Sequence, residues 1–183
     1  TSPHVFPVGK TTVDVTVTDN HGNPATCSFD VTVNDAQPPA ITCPDDILVN
    51  NDAGKCSAVV TYTAPVGTDN CAGAVTVQAA GLASGSAFPV GTTVNTFEVT
   101  DAAGNKNSCS FNVVVTDNEA PKPNCPANIE VANDANACSA SVVFAATPTD
   151  NCGVDTIVYK VGTDVITSPH VFPVGKTTVD VTV

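Results

Sequence analysis

The sequence predicts an all-β protein made of tandem β-sandwich domains, and three observations support this. Apolar and polar residues alternate at a period of two in residues 12–17 and 29–33, which is the pattern of strands with one buried face. Fourteen prolines and twelve glycines suit many turns between short strands. Sequence landmarks recur about once per domain length, so the same unit is used repeatedly. Short strands at regular spacing favour a sandwich over an α/β fold.

The strand pattern continues through the rest of the chain. Alternating apolar residues form a further predicted face at residues 58–62, and a matching face follows at residues 140–144. Gly- and Asn-containing turn signals separate the strands at residues 21–23, 51–54 and 103–105. We therefore expect strands throughout and no helix.

An internal repeat is the strongest signal. The tetrapeptide Phe-Pro-Val-Gly occurs three times, and two sets of four cysteines follow each other in the same order: 27, 43, 56 and 71, then 109, 125, 138 and 152. Residues 1–17 and 167–183 are identical. The sequence thus predicts one period of a larger array with a two-unit super-repeat.

Proline-containing stretches at residues 34–39 and 117–121 predict the domain boundaries. On this division, residues 1–35 are the C-terminal strands of a preceding, incomplete repeat. Residues 36–117 form a complete repeat, and residues 118–183 form the next repeat without its last strand.

Charge and composition exclude several classes of function. The net charge is −12 and arginine is absent, so a phosphate backbone would be repelled and we expect no nucleic-acid partner. No apolar run approaches the length of a membrane span, so we expect no membrane insertion. An acidic surface suits a soluble extracellular protein or one that binds a hard cation such as calcium.

These landmarks resemble the hyalin repeat, an immunoglobulin-like extracellular module. The motifs that carry the resemblance read PPAITCPDDI, TDNC, FPVGTT, TDAAGN and CSF, at residues 38–47, 68–71, 88–93, 100–105 and 109–111. The resemblance implies tandem immunoglobulin-like sandwiches, no enzymatic activity, and an adhesive or structural role in long cell-surface or secreted proteins. Bacterial proteins with this repeat resemble very large surface adhesins, so the resemblance also implies such a setting.

Eight evenly spaced cysteines predict disulfides in an oxidising compartment. Zinc is the rival interpretation, but there is no Cys-x-x-Cys motif, and the three histidines lie outside any ligand cluster. The resemblance implies a bond between Cys43 and Cys109, near the starts of the first and last strands. The remaining cysteines would then pair as Cys56–Cys71 and Cys138–Cys152, and Cys27 and Cys125 would bond to residues outside the chain.

Two further groups of residues are candidates for special roles. Clustered acids at the two boundaries predict calcium sites, formed by Asp35, Asp69 and Asp101 at one and by Asp117, Glu119 and Asp150 at the other. The alternative is that these are ordinary turn residues on an acidic surface. Phe88 begins a repeated Phe-Pro-Val-Gly segment and is expected to fill the core rather than to form a recognition loop.

Near-exact repetition without a singular site favours a structural stalk or filament segment of a large adhesin. The alternative is an adhesion module that binds a glycan or a protein directly, and a third possibility is an accessory region of a larger hydrolase. Expected partners are flanking repeats of the same polypeptide or neighbouring copies in a fibre. No cofactor is required, with calcium as the exception to be tested.

Overall fold

The computed structural model describes residues 3–183, and this part of the chain is all-β, as the sequence predicts. Its strands are β1 (Gly9–Thr18), β2 (Pro24–Val33), β3 (Ile47–Asn50), β4 (Ser57–Val60), β5 (Val75–Ala80), β6 (Ser86–Pro89), β7 (Gly91–Thr100), β8 (Lys106–Thr116), β9 (Ser139–Val142), β10 (Val158–Val161), β11 (Asp164–Ile166), β12 (His170–Pro173) and β13 (Asp180–Thr182). Within residues 3–183, no helix has the length and apolarity needed to cross a membrane.

The described chain forms two compact units. The first contains residues 3–45, Thr63–Gly81 and Val94–Phe111, and the second contains Asp46–Tyr62, Leu82–Thr93 and Asn112–Val183. These units do not follow the boundaries of the sequence repeats, so the domain limits remain a prediction.

Strands β1 and β2 form an antiparallel hairpin in the first unit, with Gly9 opposite Val33 and Thr18 opposite Pro24. Its turn is held by Asp19, whose Oδ1 accepts the backbone N–H of His21 and of Asn23, each at 2.8 Å. The hairpin is thinly covered, and Phe29 in β2 is 53% exposed.

The largest sheet has the strand order β3-β8-β7-β5. Strands β3 and β8 are parallel, with Ile47 opposite Val113, and β5 pairs antiparallel with β7. A parallel first and last strand with antiparallel neighbours is an arrangement that suits an immunoglobulin-like sandwich.

The core of the first unit contains Phe97, Val99 and Phe111, all nearly inaccessible to solvent. The rings of Phe97 and Phe111 stack with centroids 6.3 Å apart. Val99 packs over the backbone of Gly67, where an added Cβ would lie 2.5 Å from Val99 Cγ2. This position therefore has room for glycine only.

The second unit contains the β4–β6 pair, in which Ala58 lies opposite Phe88. Phe88 is completely buried and its ring makes an edge contact with Tyr62. The prediction that Phe88 fills the core is confirmed. Gly91 follows as the first residue of β7. Its φ is +111°, a value that glycine adopts without strain.

Residues 118–183, also in the second unit, repeat part of this arrangement. Strand β12 pairs with β9 so that Phe172 lies opposite Ala140, as Phe88 lies opposite Ala58. Strands β11, β10 and β13 form a small antiparallel sheet. Only small or medium side chains are buried in this repeat, among them Ala140, Ala146 and Ile166.

Candidate functional site at the repeat junctions

The turn between β3 and β4 is built by Asn51. Its Nδ2 donates to the carbonyl of Lys55 at 3.0 Å, and its Oδ1 accepts the N–H of Asn118 at 3.1 Å. Gly54 takes φ +69° within this turn. Asn51 is 9% exposed, so a buried amide ties the turn to the segment that leads into the next repeat.

Glu119 in that segment makes the second connection. Its Oε1 accepts the N–H of Gly54 at 2.6 Å and lies 3.4 Å from Asn51 Nδ2. A carboxylate that accepts backbone N–H groups forms a charge-assisted hydrogen bond. Glu119 thus anchors the linker on the β3–β4 turn.

The Asp-Asn-Cys loop of the next repeat makes the third connection. Asp150 Oδ2 accepts the N–H of Cys152 at 2.8 Å and shapes the loop. Asn151 Nδ2 reaches the carbonyl of Lys55 at 3.0 Å and Asp117 Oδ1 at 3.3 Å. Every residue in these contacts belongs to the second unit.

A disulfide completes this junction. Cys56 bonds to Cys152, with an S–S distance of 2.20 Å and Cα atoms 4.7 Å apart, across 96 residues of sequence. The predicted pairs Cys56–Cys71 and Cys138–Cys152 are therefore wrong. The physical reason is that Glu119 and Asn151 hold the Cys56 turn against the loop of the following repeat, whereas Cys71 belongs to the first unit.

The bond implied between Cys43 and Cys109 is present in the first unit, with an S–S distance of 2.09 Å and Cα atoms 5.6 Å apart. It joins the segment before β3 to the N-terminal half of strand β8. Within residues 3–183, the cysteines without a disulfide partner are Cys27, Cys71, Cys125 and Cys138. Cys27 and Cys125 were expected to lack an intrachain partner; Cys71 and Cys138 were not.

Cys71 lies in an acidic cluster of the first unit. Ligand atoms of Asp35, Asp69 and Cys71 all lie within 4.8 Å of one another. The pKa of the Cys71 thiol is raised, chiefly by its hydrogen bond to Asp35, then by burial and by the negative charges of Asp35, Asp69 and Asp101. Asp69 Oδ2 accepts the N–H of Cys71 at 2.8 Å, and its Oδ1 is buried without a hydrogen-bond partner.

The predicted calcium ligands are brought together only in part. Asp101 holds its own turn: Oδ1 accepts the N–H groups of Ala103 and Asn105, and Oδ2 accepts from the Asn105 amide at 2.8 Å. Burial opposes ionisation of Asp101, but hydrogen bonds from Asn105 and the turn backbone lower its pKa.

The acids of the second boundary also serve as loop acceptors. Asp117 accepts from Glu119 and Asn151, while Glu119 and Asp150 accept backbone N–H groups. Among residues 3–183, the one cluster of three metal-capable side chains is Asp35, Asp69 and Cys71. Calcium requires six to eight oxygens, and this set does not fit that requirement. Calcium binding stays a prediction.

Comparison with known proteins agrees with this architecture. The model of the HYR domain matches residues 1–33 and 34–115. Hyalin of Strongylocentrotus purpuratus is 34% identical over 182 residues, which cover 95% of this chain and 15% of hyalin. Hyalin of Lytechinus variegatus is 33% identical over 159 residues, which cover 84% of this chain and 30% of that protein.

A third relative is the mouse sushi, von Willebrand factor type A, EGF and pentraxin domain-containing protein 1. It is 33% identical over 128 residues, which cover 70% of this chain and 4% of that protein. The chain thus spans less than a third of the length of each of these relatives, which are animal proteins and give no support to a bacterial setting. Disulfides and relatives together indicate an extracellular protein. The chain belongs to the HYR domain family.

Proposed function

We propose that this chain is a structural, non-catalytic segment of an extracellular tandem-repeat protein, acting as a spacer whose successive repeats are joined through their junctions. The observation that carries the proposal is the Cys56–Cys152 bond, which connects a turn of the repeat at 36–117 to a loop of the repeat at 118–183. A spacer must transmit tension from one repeat to the next, and a covalent bond does so without relying on side-chain packing.

Hydrogen bonds reinforce the same junction. Glu119, Asn151 and Asn51 converge on the short turn that contains Lys55. Hydrogen bonds of this kind each contribute about 0.5–1.5 kcal/mol, and exposure of Glu119 puts its bond at the low end. A disulfide that closes a loop of this length contributes about 4–5 kcal/mol in the chain-entropy account. The disulfide therefore contributes more to the stability of the junction than the hydrogen bonds do. The hydrogen bonds hold the turn and the loop in the positions that the disulfide joins.

An open groove with a partly apolar lining in the repeat at 118–183 supports a neighbouring repeat as the partner. The groove measures about 870 Å³ and is lined by Ile129, Val131, Val142, Phe144 and Val181, among others. Ile129 and Val131 are 47% and 61% exposed. In the sequence repeat they correspond to Ile47 and Val49 of β3, whose hydrogen-bonded neighbour is β8.

The apolar side chains of the groove are complementary to a strand like β8, which pairs with β3 in the complete repeat. There β8 buries Phe111, Val113 and Val115, each at most 2% exposed. The same Phe-x-Val-x-Val pattern begins at Phe29 in β2. A strand of this type, added from a neighbouring repeat, would pair its backbone and cover the groove, as in donor-strand complementation.

Single-molecule pulling on the intact chain tests the spacer function. With the bond formed, the segment between Cys56 and Cys152 should stay short under load and lengthen only after reduction. A Cys56→Ser/Cys152→Ser variant should extend further than the wild type in non-reducing buffer. Equal extension of both chains, or specific binding of the chain to a glycan or matrix protein, would overturn the spacer proposal.

A peptide covering residues 24–34 tests the partner. Added to the full chain, it should raise the melting temperature, while the same peptide with Phe29→Asp should not. No difference between the two peptides would show that the groove does not take this strand.

A further inference from the structure

Two of the four free cysteines of the described residues, Cys71 and Cys138, lie in local structures that duplicate the two sides of the Cys56–Cys152 bond. The turn before Cys138 repeats the turn before Cys56. Asp134 N donates to the carbonyl of Ser139 at 2.8 Å, as Asp52 N donates to that of Ser57 at 2.8 Å.

The side-chain bonds of these two turns also correspond. Asn133 Nδ2 donates to the carbonyl of Ala137 at 2.7 Å, the counterpart of the Asn51 bond to Lys55. Asn136 takes φ +61° where Gly54 takes +69°. Cys138 is exposed at the end of this turn, so its thiol is presented as that of Cys56 is.

The loop that contains Cys71 repeats the loop that contains Cys152. In both loops an aspartate Oδ2 accepts the cysteine N–H at 2.8 Å, from Asp69 in one and Asp150 in the other. The intervening asparagine amide lies 3.4 Å from Sγ of Cys71, and 3.5 Å from Sγ of Cys152. The loop at Cys71 therefore has the hydrogen bonds of the bonded Cys152 loop, and the turn at Cys138 has those of the bonded Cys56 turn.

We propose that Cys71 and Cys138 are complementary half-sites of an inter-repeat disulfide, and that Cys138 of one copy of this chain bonds to Cys71 of a second copy. Cys56–Cys152 is then one bond in a continuous series that links every repeat to the next. A second copy fits because it supplies the matching half-site, a Cys71 loop built like the Cys152 loop that bonds to Cys56.

Bond formation is an oxidation. The two thiols lose two protons and two electrons as the S–S bond forms, and a small-molecule disulfide such as oxidised glutathione accepts them and becomes two thiols. The reaction passes through a mixed disulfide, which the second thiolate resolves. Asp35 and Asp69 beside Cys71 favour its protonated form, so bonding should quicken as the pH rises above neutrality.

The experiment uses the full chain carrying Cys27→Ser and Cys125→Ser, so that Cys71 and Cys138 are the free thiols. In a glutathione redox buffer it should form a ladder of covalent multimers on non-reducing gels. Peptide mapping should find Cys71 joined to Cys138 between copies, with Cys43–Cys109 and Cys56–Cys152 retained.

Mixing supplies the matched control. In this background a Cys71→Ser chain and a Cys138→Ser chain should each stay monomeric alone, and together should give heterodimers and nothing larger. Homodimers through Cys71 or through Cys138 at comparable yield would overturn the proposal, because they would show indiscriminate oxidation. Glutathione adducts without cross-linked chains would overturn it as well.

Discussion

The repeat at residues 36–117 and the repeat at residues 118–183 have the same turns and cysteine loops but different cores. In the first, β8 lies between β3 and β7, and its apolar residues are buried. In the second, the corresponding place is an open groove, and Ile129 and Val131 are exposed. The turns depend on hydrogen bonds between residues close in sequence, so they form in both repeats. The core of the repeat at 36–117 depends on β8, which pairs with β3 although it is distant from it in sequence.

The comparison predicts its largest effect at Phe111 in β8. Phe111→Ala should lower the free energy of unfolding by about 3–5 kcal/mol, because it removes a buried ring. Phe29→Ala changes the equivalent residue of β2, which is 53% exposed, and should cost less than about 1 kcal/mol. Urea denaturation of both variants measures the difference. Equal losses would show that β2 is as well covered as β8.

A pair of double variants separates the bonded cysteines from the free ones. Cys56→Ser/Cys152→Ser should lose about 2–4 kcal/mol of stability, because the unfolded chain regains a long loop; this is less than the chain-entropy value of about 4–5 kcal/mol because unfolded chains retain residual structure. Cys71→Ser/Cys138→Ser should leave the stability of the isolated chain unchanged. Non-reducing thermal melts compare the two. Destabilisation of the second variant instead would support the Cys56–Cys71 and Cys138–Cys152 pairing.

A smaller effect is expected at the glycine of the complete repeat. Gly67→Ala places a methyl group against Val99 and should cost about 1–3 kcal/mol through overpacking. Adding Val99→Ala should recover part of that loss, so the double variant should be less than additive. Chemical denaturation of the two single variants and the double variant tests this. Full additivity would mean that the two residues do not compete for space.

Glu119 offers a test of the junction itself. Glu119→Ala removes the acceptor of the Gly54 N–H and should lower stability by about 0.5 kcal/mol, because Glu119 is exposed. Glu130→Ala, an exposed acid of the same unit, is the control and should have almost no effect. Hydrogen exchange at Gly54 should quicken only in the Glu119 variant. If the Gly54 N–H exchanged at the same rate in the Glu119 variant, Glu119 would not stabilise the junction.

The smallest effect is expected in the reactivity of the Cys71 thiol. The hydrogen bond to Asp35 raises the pKa of the Cys71 thiol, so the thiolate fraction at pH 8 is lowered. Asp35→Asn should lower that pKa toward its ordinary value and speed alkylation of Cys71 by iodoacetamide several-fold. Asp14→Asn, an exposed strand residue, is the control. Equal rates in the two variants would show that Asp35 does not control this thiol.

Much of the fold follows from the sequence because it depends on local patterns. Alternation of valine with polar residues predicts strands such as β1 and β8, and the position of Phe88 before a Pro-Val-Gly turn predicts a core residue. Calcium binding, by contrast, stays a prediction. Acidic residues at turns such as Asp101 and Glu119 accept nearby N–H groups, and sequence alone does not distinguish that use from metal binding.

By itself, the sequence determined the all-β class, the repeat and the family. Each depends on spacing and alternation that are visible along the chain. Only the tertiary structure decided that Cys56 bonds to Cys152, across 96 residues. The choice of partner depends on which loop the Cys56 turn meets. That meeting is set by hydrogen bonds from Glu119 and Asn151, which are long-range contacts that no periodicity in the sequence records.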